Sequence, residues 1–465
     1  MAIATTSRPR DEPDEADPMN MRAKPTPTPT ESALALAFQA AQDKPGVPQH
    51  VAYWRARAFS TFSDLGLPTK HVEAWHYTDL RAALAKPYAL VDGDVNVSPE
   101  AILQLAPRLD GLAAIRIVLV DGVYVPALSD SAAMPQGVTL RAMDMALASD
   151  DVALLTALAA HGLGAGDGPI ALNAALMHGG VVLDVAANVD VKTPIEIVAL
   201  ATETREQSFF SRSLVRVGQG ARCTLVETHV GKGAVAAQKN DVMIFDVADA
   251  ATLDHIVTSP RNALGSVQVS TLLANLGAHS KLQSFALVSE AAFLRRQTFL
   301  RFNGSHASAL LSGVSLLSGR EHCDVTLVVE HIAPDCQSRE IFKHIVDDAA
   351  TGVFQGRISV AQGAQKTDGS MSSRAILIGD DAAMYNKPEL EIFADDVVCG
   401  HGATCGELDE DQVFYAMSRG LPRLVAESLL LEAFAGDVVD KIENEILRDH
   451  VMERVRTRLA ARSHA

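Results

Sequence analysis

The sequence has few cysteines and few aromatic side chains for its length. Five cysteines are spread over 465 residues, too few and too scattered for a disulfide framework, so we expect free thiols in a reducing compartment. Phe, Trp and Tyr make up 5% of the chain, and Trp54 and Trp75 are its two tryptophans. This shortage argues against the aromatic surfaces on which single-stranded nucleic acid stacks.

The sequence also lacks a membrane-length apolar run and an excess of positive charge. No apolar run reaches the roughly 18 residues of a transmembrane helix, and the N-terminus lacks the basic and then apolar order of a secretory signal. Lys and Arg number 40 against 57 Asp and Glu, and this net charge of −17 repels a phosphate backbone. We therefore expect a soluble, cytoplasmic protein that binds neither nucleic acid nor a membrane.

Motifs of several common enzyme classes are missing as well. The chain contains no G-x-x-x-x-G-K-[ST], H-E-x-x-H or G-x-S-x-G motif, and no G-x-G-x-x-G between a strand and a helix. A self-contained ATPase, zinc protease or dinucleotide-dependent enzyme is therefore disfavoured.

Changes in composition divide the chain into four segments. Residues 1–31 are rich in proline and threonine, and we expect a disordered tail there. Apolar residues at helical spacing predict a helical domain over residues 32–112, and short Val-, Ile- and Leu-rich runs predict strands over residues 113–408. Helical spacing returns in residues 409–465, which we assign to a C-terminal helical domain.

A weak internal repeat in the strand-rich segment favours a β-solenoid. Ala221, Ala251, Ala278 and Ala307 lie at small-residue turns that precede a leucine, and they are spaced by 30, 27 and 29 residues. Coils that stack and bury their apolar rows on one another produce a period of this size. Ordinary Gly/Ala turns in a β-sandwich are the alternative. We predict a mainly β fold, a β-solenoid flanked by helical domains, with one helix near residues 143–160 inside the strand region.

Capping signals organise the C-terminal segment. Asp409 followed by Gln412 has the spacing of a capping box and predicts a helix start. Gly436 predicts the end of the next helix, and Asp437 then caps a last helix that runs to about residue 459.

Cys399-Gly-His401 is the most informative candidate for chemistry. Residues two apart on a strand share a face, so Cys399 and His401 can present a thiolate and an imidazole side by side. Cys405 would share that face only if the strand continued through Gly402, which we do not expect. Two ligands are half of a tetrahedral site, so either another polypeptide completes the site or Cys399 is a small buried hydrophobe and His401 an ordinary strand histidine.

Other candidates are weaker. Cysteine and histidine lie close together in sequence in two further places, and three acidic pairs resemble the carboxylates with which solenoid polysaccharide enzymes bind calcium or move protons. Because each acidic pair follows an apolar strand, a role in a turn is the better interpretation. The residues are His322 with Cys323, His331 with Cys336, Asp347-Asp348, Asp380-Asp381 and Asp395-Asp396.

Several motifs follow one another along the chain over about residues 60–445. They are Leu65-Gly-Leu-Pro-Thr with Glu73, Trp75, Tyr77 and Thr78, Gly352-Val-Phe-Gln-Gly, Gln365-Lys-Thr-Asp, Lys387-Pro-Glu-Leu-Glu-Ile, Cys399-Gly-His401, Asp411-Gln-Val-Phe-Tyr and Ser418-Arg-Gly. In this order they resemble the SufD branch of the SufB/SufD family of iron–sulfur cluster assembly proteins. A cysteine cluster near the N-terminus is frequent in SufB, whereas this chain has no cysteine before Cys223. Gly400 and Cys405 depart from the pattern.

This resemblance implies a right-handed parallel β-helix and a scaffold that is not itself an enzyme. It implies a heterodimer with SufB through the end of the β-helix, and docking of the SufC ATPase on the C-terminal helical domain. A homodimer is conceivable when SufB is missing. Cys399 and His401 fall on the family's metal-ligand motif, which implies a transient iron–sulfur cluster shared with SufB and no cofactor bound tightly by this chain alone.

Two functions of other classes remain open at this point. One is a β-solenoid enzyme that acts on a polysaccharide through the acidic pairs. The other is a structural adaptor that binds SufB and SufC but no metal.

Overall fold

The structure is a computed structural model that describes residues 26–43, 46–91, 97–149, 151–231, 235–259 and 263–462. Most of the predicted tail, residues 1–25, lies outside the described residues. The first helix begins at Pro29, three residues before the predicted start of the helical domain, because the Thr28 hydroxyl accepts a hydrogen bond from the Glu31 backbone and the Glu31 carboxylate accepts one from the Thr28 backbone.

Two ten-stranded sheets form a parallel β-solenoid in the middle of the chain, which confirms the fold prediction. Alternate strands along the chain belong to alternate sheets, so that one coil contributes one strand to each sheet. Sheet A contains β4 (Val138–Ala142), β5 (Val181–Val185), β7 (Gln207–Val217), β9 (Ala237–Val247), β11 (Val267–Leu276), β13 (Phe293–Phe302), β15 (His322–His331), β17 (Thr351–Val360) and β19 (Ala383–Ile392), with β1 (Ala89–Leu90) paired to β7. Sheet B contains β3 (Val123–Tyr124), β2 (Ile115–Val120), β6 (Ile195–Ala201), β8 (Arg222–Gly231), β10 (Thr252–Ser259), β12 (Lys281–Ser289), β14 (Ser308–Leu317), β16 (Gln337–Val346), β18 (Asp368–Leu377) and β20 (Val398–Gly406).

The strand register explains the repeat found in the sequence. The first residues of β8, β10, β12, β14, β16, β18 and β20 pair with one another in turn, which sets each coil at 27 to 31 residues. The residue before each of these strands up to β18 occupies a tight corner and is at most 1% exposed, so only small or compact side chains fit there. Ser280, two residues after the predicted Ala278, holds this position in its coil. The corner residues are Ala221, Ala251, Ser280, Ala307, Cys336 and Thr367.

The interior of the solenoid is a continuous apolar core. Alternate side chains of every strand point inward and stack on the equivalent residues of the coils above and below. Phe245, Leu272, Leu300 and Phe354 are buried members of this core. Each coil therefore covers the inward row of the coil before it, except at the last coil.

Four helices of the N-terminal segment pack beside the solenoid. They are α1 (Pro29–Gln42), α2 (Gln49–Leu65), α3 (Leu80–Ala83) and α4 (Pro99–Leu105). The link between α2 and α3 is anchored on sheet A by a buried polar network. The Arg295 guanidinium lies 3.8 Å above the ring of Trp75 and contacts Asp324 at 2.5 Å, and Asp324 also accepts a hydrogen bond from the hydroxyl of Thr78.

Three helices, rather than the single predicted one, interrupt the strand region. They are α5 (Met143–Leu147), α6 (Val152–Leu158) and α7 (Gly168–Leu176). The spacing of residues 143–160 predicted helical structure there, but α7 escaped prediction because every one of its nine residues is buried. A helix that is buried on every side shows no alternation of apolar and polar faces in its sequence.

Three helices follow the solenoid and cover part of the outer face of sheet B. They are α8 (Glu410–Ser418), α9 (Arg423–Val439) and α10 (Glu445–Arg462). The Asp409 side chain accepts a hydrogen bond from the backbone of Gln412, as its capping spacing predicts. The predicted break at Gly436 is wrong: α9 continues through it, and Asp437 contacts Lys343 of β16 at 2.6 Å instead of capping a helix. None of the helices in the described ranges is long and apolar enough to cross a membrane.

Candidate metal centre at the open end of the solenoid

The solenoid ends in two strands that each lack a neighbour on one side in the described structure. These strands are β19 in sheet A and β20 in sheet B. Their surroundings expose large apolar side chains, with Phe393 66% exposed and Val398 72% exposed. A free strand edge bordered by apolar surface is a template for another polypeptide, because its backbone groups and apolar side chains are left without partners.

Strand β20 places three of the predicted residues on one face. It pairs in continuous parallel register with β18 from Val398 to Gly406, so Cys399, His401 and Cys405 alternate onto the same side. The expectation that Cys405 leaves this face is therefore wrong. Gly402 does not end the strand, because the pairing with β18 uses the backbone. Cys399 and His401 are adjacent on the face, whereas Cys405 lies four residues, about 13 Å, beyond His401 along the strand.

Cys399 is half-buried and faces the end of the apolar core. Its neighbour in β18 is Gly369, where a Cβ atom would lie 3.6 Å from the Cys399 sulfur. Burial raises the pKa of the Cys399 thiol, a hydrogen bond from the Gly369 backbone opposes this rise, and the negative charge of Asp368 adds to it. We therefore expect a protonated thiol at neutral pH, so a metal ion that binds here must displace a proton.

His401 is exposed at the end of the solenoid. Its register partner in β18 is the buried Met371, whose register partner in β16 is Glu340. Within the described residues, no three His, Cys, Asp or Glu side chains form a group able to hold a metal ion. Cys399 and His401 thus present a thiol and an imidazole side by side, which are groups that soft and borderline metal ions can bind, and a complete metal site here would need further ligands from elsewhere.

Glu340 is a buried carboxyl that the sequence analysis missed. It is 0% exposed, and neither of its carboxyl oxygens has a hydrogen-bond partner among the residues that the structure describes. Burial raises its pKa to about 8, which keeps the carboxyl neutral at pH 7. Alternation along β16 puts Glu340 on one of the two faces of the strand. Which face points inward is set by pairing with strands distant in sequence, so the pattern of β16 alone does not show that Glu340 is buried.

The N-terminal segment reaches the last coil. Tyr77 stacks on Tyr385 of β19 with ring centroids 5.1 Å apart, and Glu73 forms an ion pair with Lys387 of the same strand. These contacts connect two sequence motifs that are more than 300 residues apart. They hold β19 against the body although its far edge has no strand beside it.

The remaining cysteine and histidine candidates are not brought to this end. Cys323 is buried in the core, where burial raises the pKa of its thiol to about 12. His322 points to the other face, stacks on Phe293 and lies 3.0 Å from the hydroxyl of Thr78. Cys336 is one of the small corner residues, and its sulfur lies 3.2 Å from a backbone carbonyl oxygen. These residues have structural roles.

The acidic pairs occupy turns at two different corners of the solenoid. Asp347 contacts Arg462 of α10 at 2.5 Å, and Asp348 accepts a hydrogen bond from the Gly319 backbone in the adjacent coil. Asp396, at the other corner, forms an ion pair with Lys366. Asp347-Asp348 and Asp380-Asp381 lie at the same corner on adjacent coils, whereas Asp395-Asp396 lies at the other corner, so the three pairs do not line one catalytic groove.

A second exposed apolar surface lies on the C-terminal helices. Large side chains of α8 and α9 point away from the body and are between 40% and 72% exposed. Scattered apolar side chains are normal on a surface, but several on two consecutive helices indicate a docking site. The residues are Phe414, Tyr415, Met417, Leu424, Val425 and Leu429.

Comparisons with known proteins match nearly the whole described chain. The SUF system FeS cluster assembly, SufBD core domain matches residues 200–434, and the SufBD protein N-terminal region matches residues 39–197. The chain is 31% identical over 399 residues to the iron–sulfur cluster assembly protein SufD of Escherichia coli, which covers 85% of this chain and 90% of that protein. It is 28% identical over 421 residues to a SufBD family protein of Synechocystis, covering 87% of this chain and 90% of the relative. Identity to SufD of Bacillus subtilis is 28% over 287 residues, covering 59% of this chain and 63% of that protein.

Proposed function

Because the chain belongs to the SufBD family of iron–sulfur cluster assembly proteins, we propose that it is a non-catalytic scaffold subunit that supplies part of a metal site to a shared interface. Cys399 and His401 bind iron of a nascent cluster together with ligands from SufB. The cluster is cargo that is built and then released. The chain alone holds no cluster tightly, since it offers two neighbouring ligands.

The position of these two residues is the observation that supports the proposal. Cys399 and His401 share one face of the terminal strand, about 7 Å apart along it, at the end of the solenoid that no other described element covers. A thiolate and an imidazole suit iron. Since neither residue has a third ligand within the described chain, a second polypeptide has to complete the coordination.

The free edges of β19 and β20 favour pairing with SufB at the same end. Backbone donors and acceptors along the open side of both strands can pair with strands of a related solenoid. The exposed apolar side chains beside them, Ile392, Phe393 and Val398, add area that is stabilising once buried. Binding of SufB and formation of the shared metal site therefore occur on one surface.

The exposed apolar face of α8 and α9 is the proposed docking site for the SufC ATPase. Leu429 is 48% exposed on α9, whereas Phe434 of the same helix packs against the core cluster, with the ammonium group of Lys343 4.4 Å from its ring centroid. ATP-driven movement of docked subunits would then reach the solenoid through α9.

The test is reconstitution of the complex under anaerobic conditions with Fe²⁺ and sulfide. We expect the co-purified complex to develop thiolate-to-iron absorption, and His401→Ala to keep the complex intact but lose most of that absorption. Thr404→Ala, on the opposite face of the same strand, is the matched control and should behave as the wild type.

Three outcomes separate the hypotheses. Undiminished cluster formation in His401→Ala would refute the ligand role. A complex that forms but never binds iron would make the chain a metal-free adaptor. Docking of SufC is tested separately by co-purification: Leu429→Asp should weaken it, and unchanged co-purification would exclude the α8–α9 face.

A further inference from the structure

One corner of the solenoid carries a row of side chains on successive coils. Ala250, His279, His306, Asp335 and Lys366 lie at equivalent turns between sheet A and sheet B, and all five have left-handed backbones with φ between +57° and +63°. Each backbone N–H donates a hydrogen bond to a carbonyl oxygen of the next coil, for example over 2.8 Å from His279. Each coil therefore contributes one residue to the row, and neighbouring residues of the row are separated by about 4.8 Å, the spacing between parallel strands.

Two neighbouring members of this row are histidines. The rings of His279 and His306 are stacked, with centroids 4.9 Å apart and an angle of 18° between their planes. Asp335 follows in the next coil, with its carboxylate 3.9 Å from Nε2 of His306. Both histidines are exposed. No side chain in the described part of the structure hydrogen-bonds either ring, so their nitrogen atoms are available to a ligand.

Backbone geometry explains each histidine separately but not the pair. Histidine is enriched several-fold at left-handed positions, as are asparagine and aspartate, so one histidine at this corner needs no function. Two exposed imidazoles on adjacent coils are the ligand type that divalent first-row transition metals such as zinc, copper and nickel accept, and the carboxylate beside them adds negative charge. A chelate needs two nitrogen atoms, each about 2.0–2.1 Å from one ion, so binding requires both exposed rings to turn toward the same ion.

We propose that His279 and His306 form a two-histidine surface site for a divalent first-row transition-metal ion, with water in the remaining positions and Asp335 close to the ion but not among its ligands. The site does not depend on the proposed metal centre at the solenoid end. His306 precedes β14, three coils before β20, so the two sites are about 14 Å apart along the solenoid axis. A two-histidine chelate with solvent ligands binds a labile ion rather than a permanent structural one.

The test measures Ni²⁺ and Zn²⁺ binding to the full chain without an affinity tag, by isothermal titration calorimetry. We expect one ion per chain at this site, an affinity lowered about tenfold or more in His306→Ala, and loss of binding in the double variant His279→Ala/His306→Ala. His71→Ala, which removes an exposed histidine elsewhere, is the matched control and should retain wild-type binding.

Further variants separate this site from the open end and test the carboxylate. His401→Ala should leave the Ni²⁺ site unchanged, and Asp335→Asn, which removes a nearby negative charge but no ligand, should weaken binding less than His306→Ala does. All three corner side chains are at least partly exposed, and Ala250 already adopts the same left-handed backbone at an equivalent turn. The variants are therefore expected to melt close to the wild-type temperature, which circular dichroism checks. A wild-type chain that binds neither ion at this site, or a double variant that binds like the wild type, overturns the proposal.

Discussion

Replacing Glu340 by glutamine tests the description of the solenoid interior. The pKa of Glu340 is raised by burial from its ordinary value of 4.5 to about 8. The folded chain therefore holds this proton more tightly than the unfolded chain does. The stability associated with the protonated carboxyl is fully present below pH 4.5 and is lost as the pH rises through about 8. Each pKa unit corresponds to about 1.4 kcal/mol. The contribution of the protonated carboxyl to the free energy of unfolding therefore falls by about 4 kcal/mol between pH 5 and pH 8.

Glutamine at position 340 has nearly the same shape but no proton to lose. The difference in unfolding free energy between Glu340→Gln and the wild type should therefore shift in favour of the variant by about 4 kcal/mol from pH 5 to pH 8. For a chain of this length, unfolding entropy converts this into a relative shift of about 4 °C in melting temperature. The absolute difference at one pH is less informative, because the glutamine amide is itself left without a partner.

Melting followed by circular dichroism at several pH values is a suitable assay. Glu391→Gln, a substitution at a half-exposed residue of β19, is the matched control and should lack this pH-dependent shift. If Glu340→Gln and the wild type respond equally to pH, the carboxyl is ionised or satisfied in the folded chain, and our account of a neutral, unpaired Glu340 is refuted.

Three further predictions concern packing and association. Asp324→Ala should destabilise the fold by about 3–5 kcal/mol, because it leaves the buried Arg295 without its counter-charge. Chemical denaturation measures this, and a loss of stability below about 1 kcal/mol would contradict it. Phe434→Ala should lower the free energy of unfolding by about 2 kcal/mol and loosen α9, because it removes the packing of Phe434 against the core and its contact with Lys343. Hydrogen exchange of the α9 amides measures this, and unchanged protection would contradict it. Without SufB, the chain should self-associate through its open end, and Val398→Asp should lower the dimer fraction in analytical ultracentrifugation; an equal fraction in both would exclude this surface.

The repeat and the helical flanks could be predicted because they follow from local rules. Ala221, Ala251 and Ala307 are small for a steric reason that recurs once per coil, and recurrence is visible in a sequence. The same rule explains Cys336, which occupies an equivalent corner in its coil. Because composition alone cannot distinguish a small corner residue from a ligand, the sequence left the role of Cys336 open.

The remaining errors arise where tertiary contacts override local preference. Glycine commonly ends helices and weakens strands, yet Gly436 lies inside α9 and Gly402 lies inside β20. In both cases the neighbouring element stabilises the conformation: α9 packs on sheet B, and β20 pairs with β18 along its length. Glu340 was missed for a related reason, since the face of a strand that points inward is decided by coils distant in sequence.

The geometry of a solenoid explains why metal ligands would lie at this end and not along its length. Met371 belongs to the same inward row as His401 and is 1% exposed, because β20 covers it. The next coil covers the inward side chains of each coil, so an inward side chain is accessible to a metal ion or to another polypeptide only at the last coil. At the start of the solenoid, β3 and β4 pair antiparallel to β2 and β5 and close the stack. Terminal repeats normally need such a cap. In the described structure the far end has none, so in the proposed complex the surface that caps this end would also be the surface that completes the coordination of Cys399 and His401.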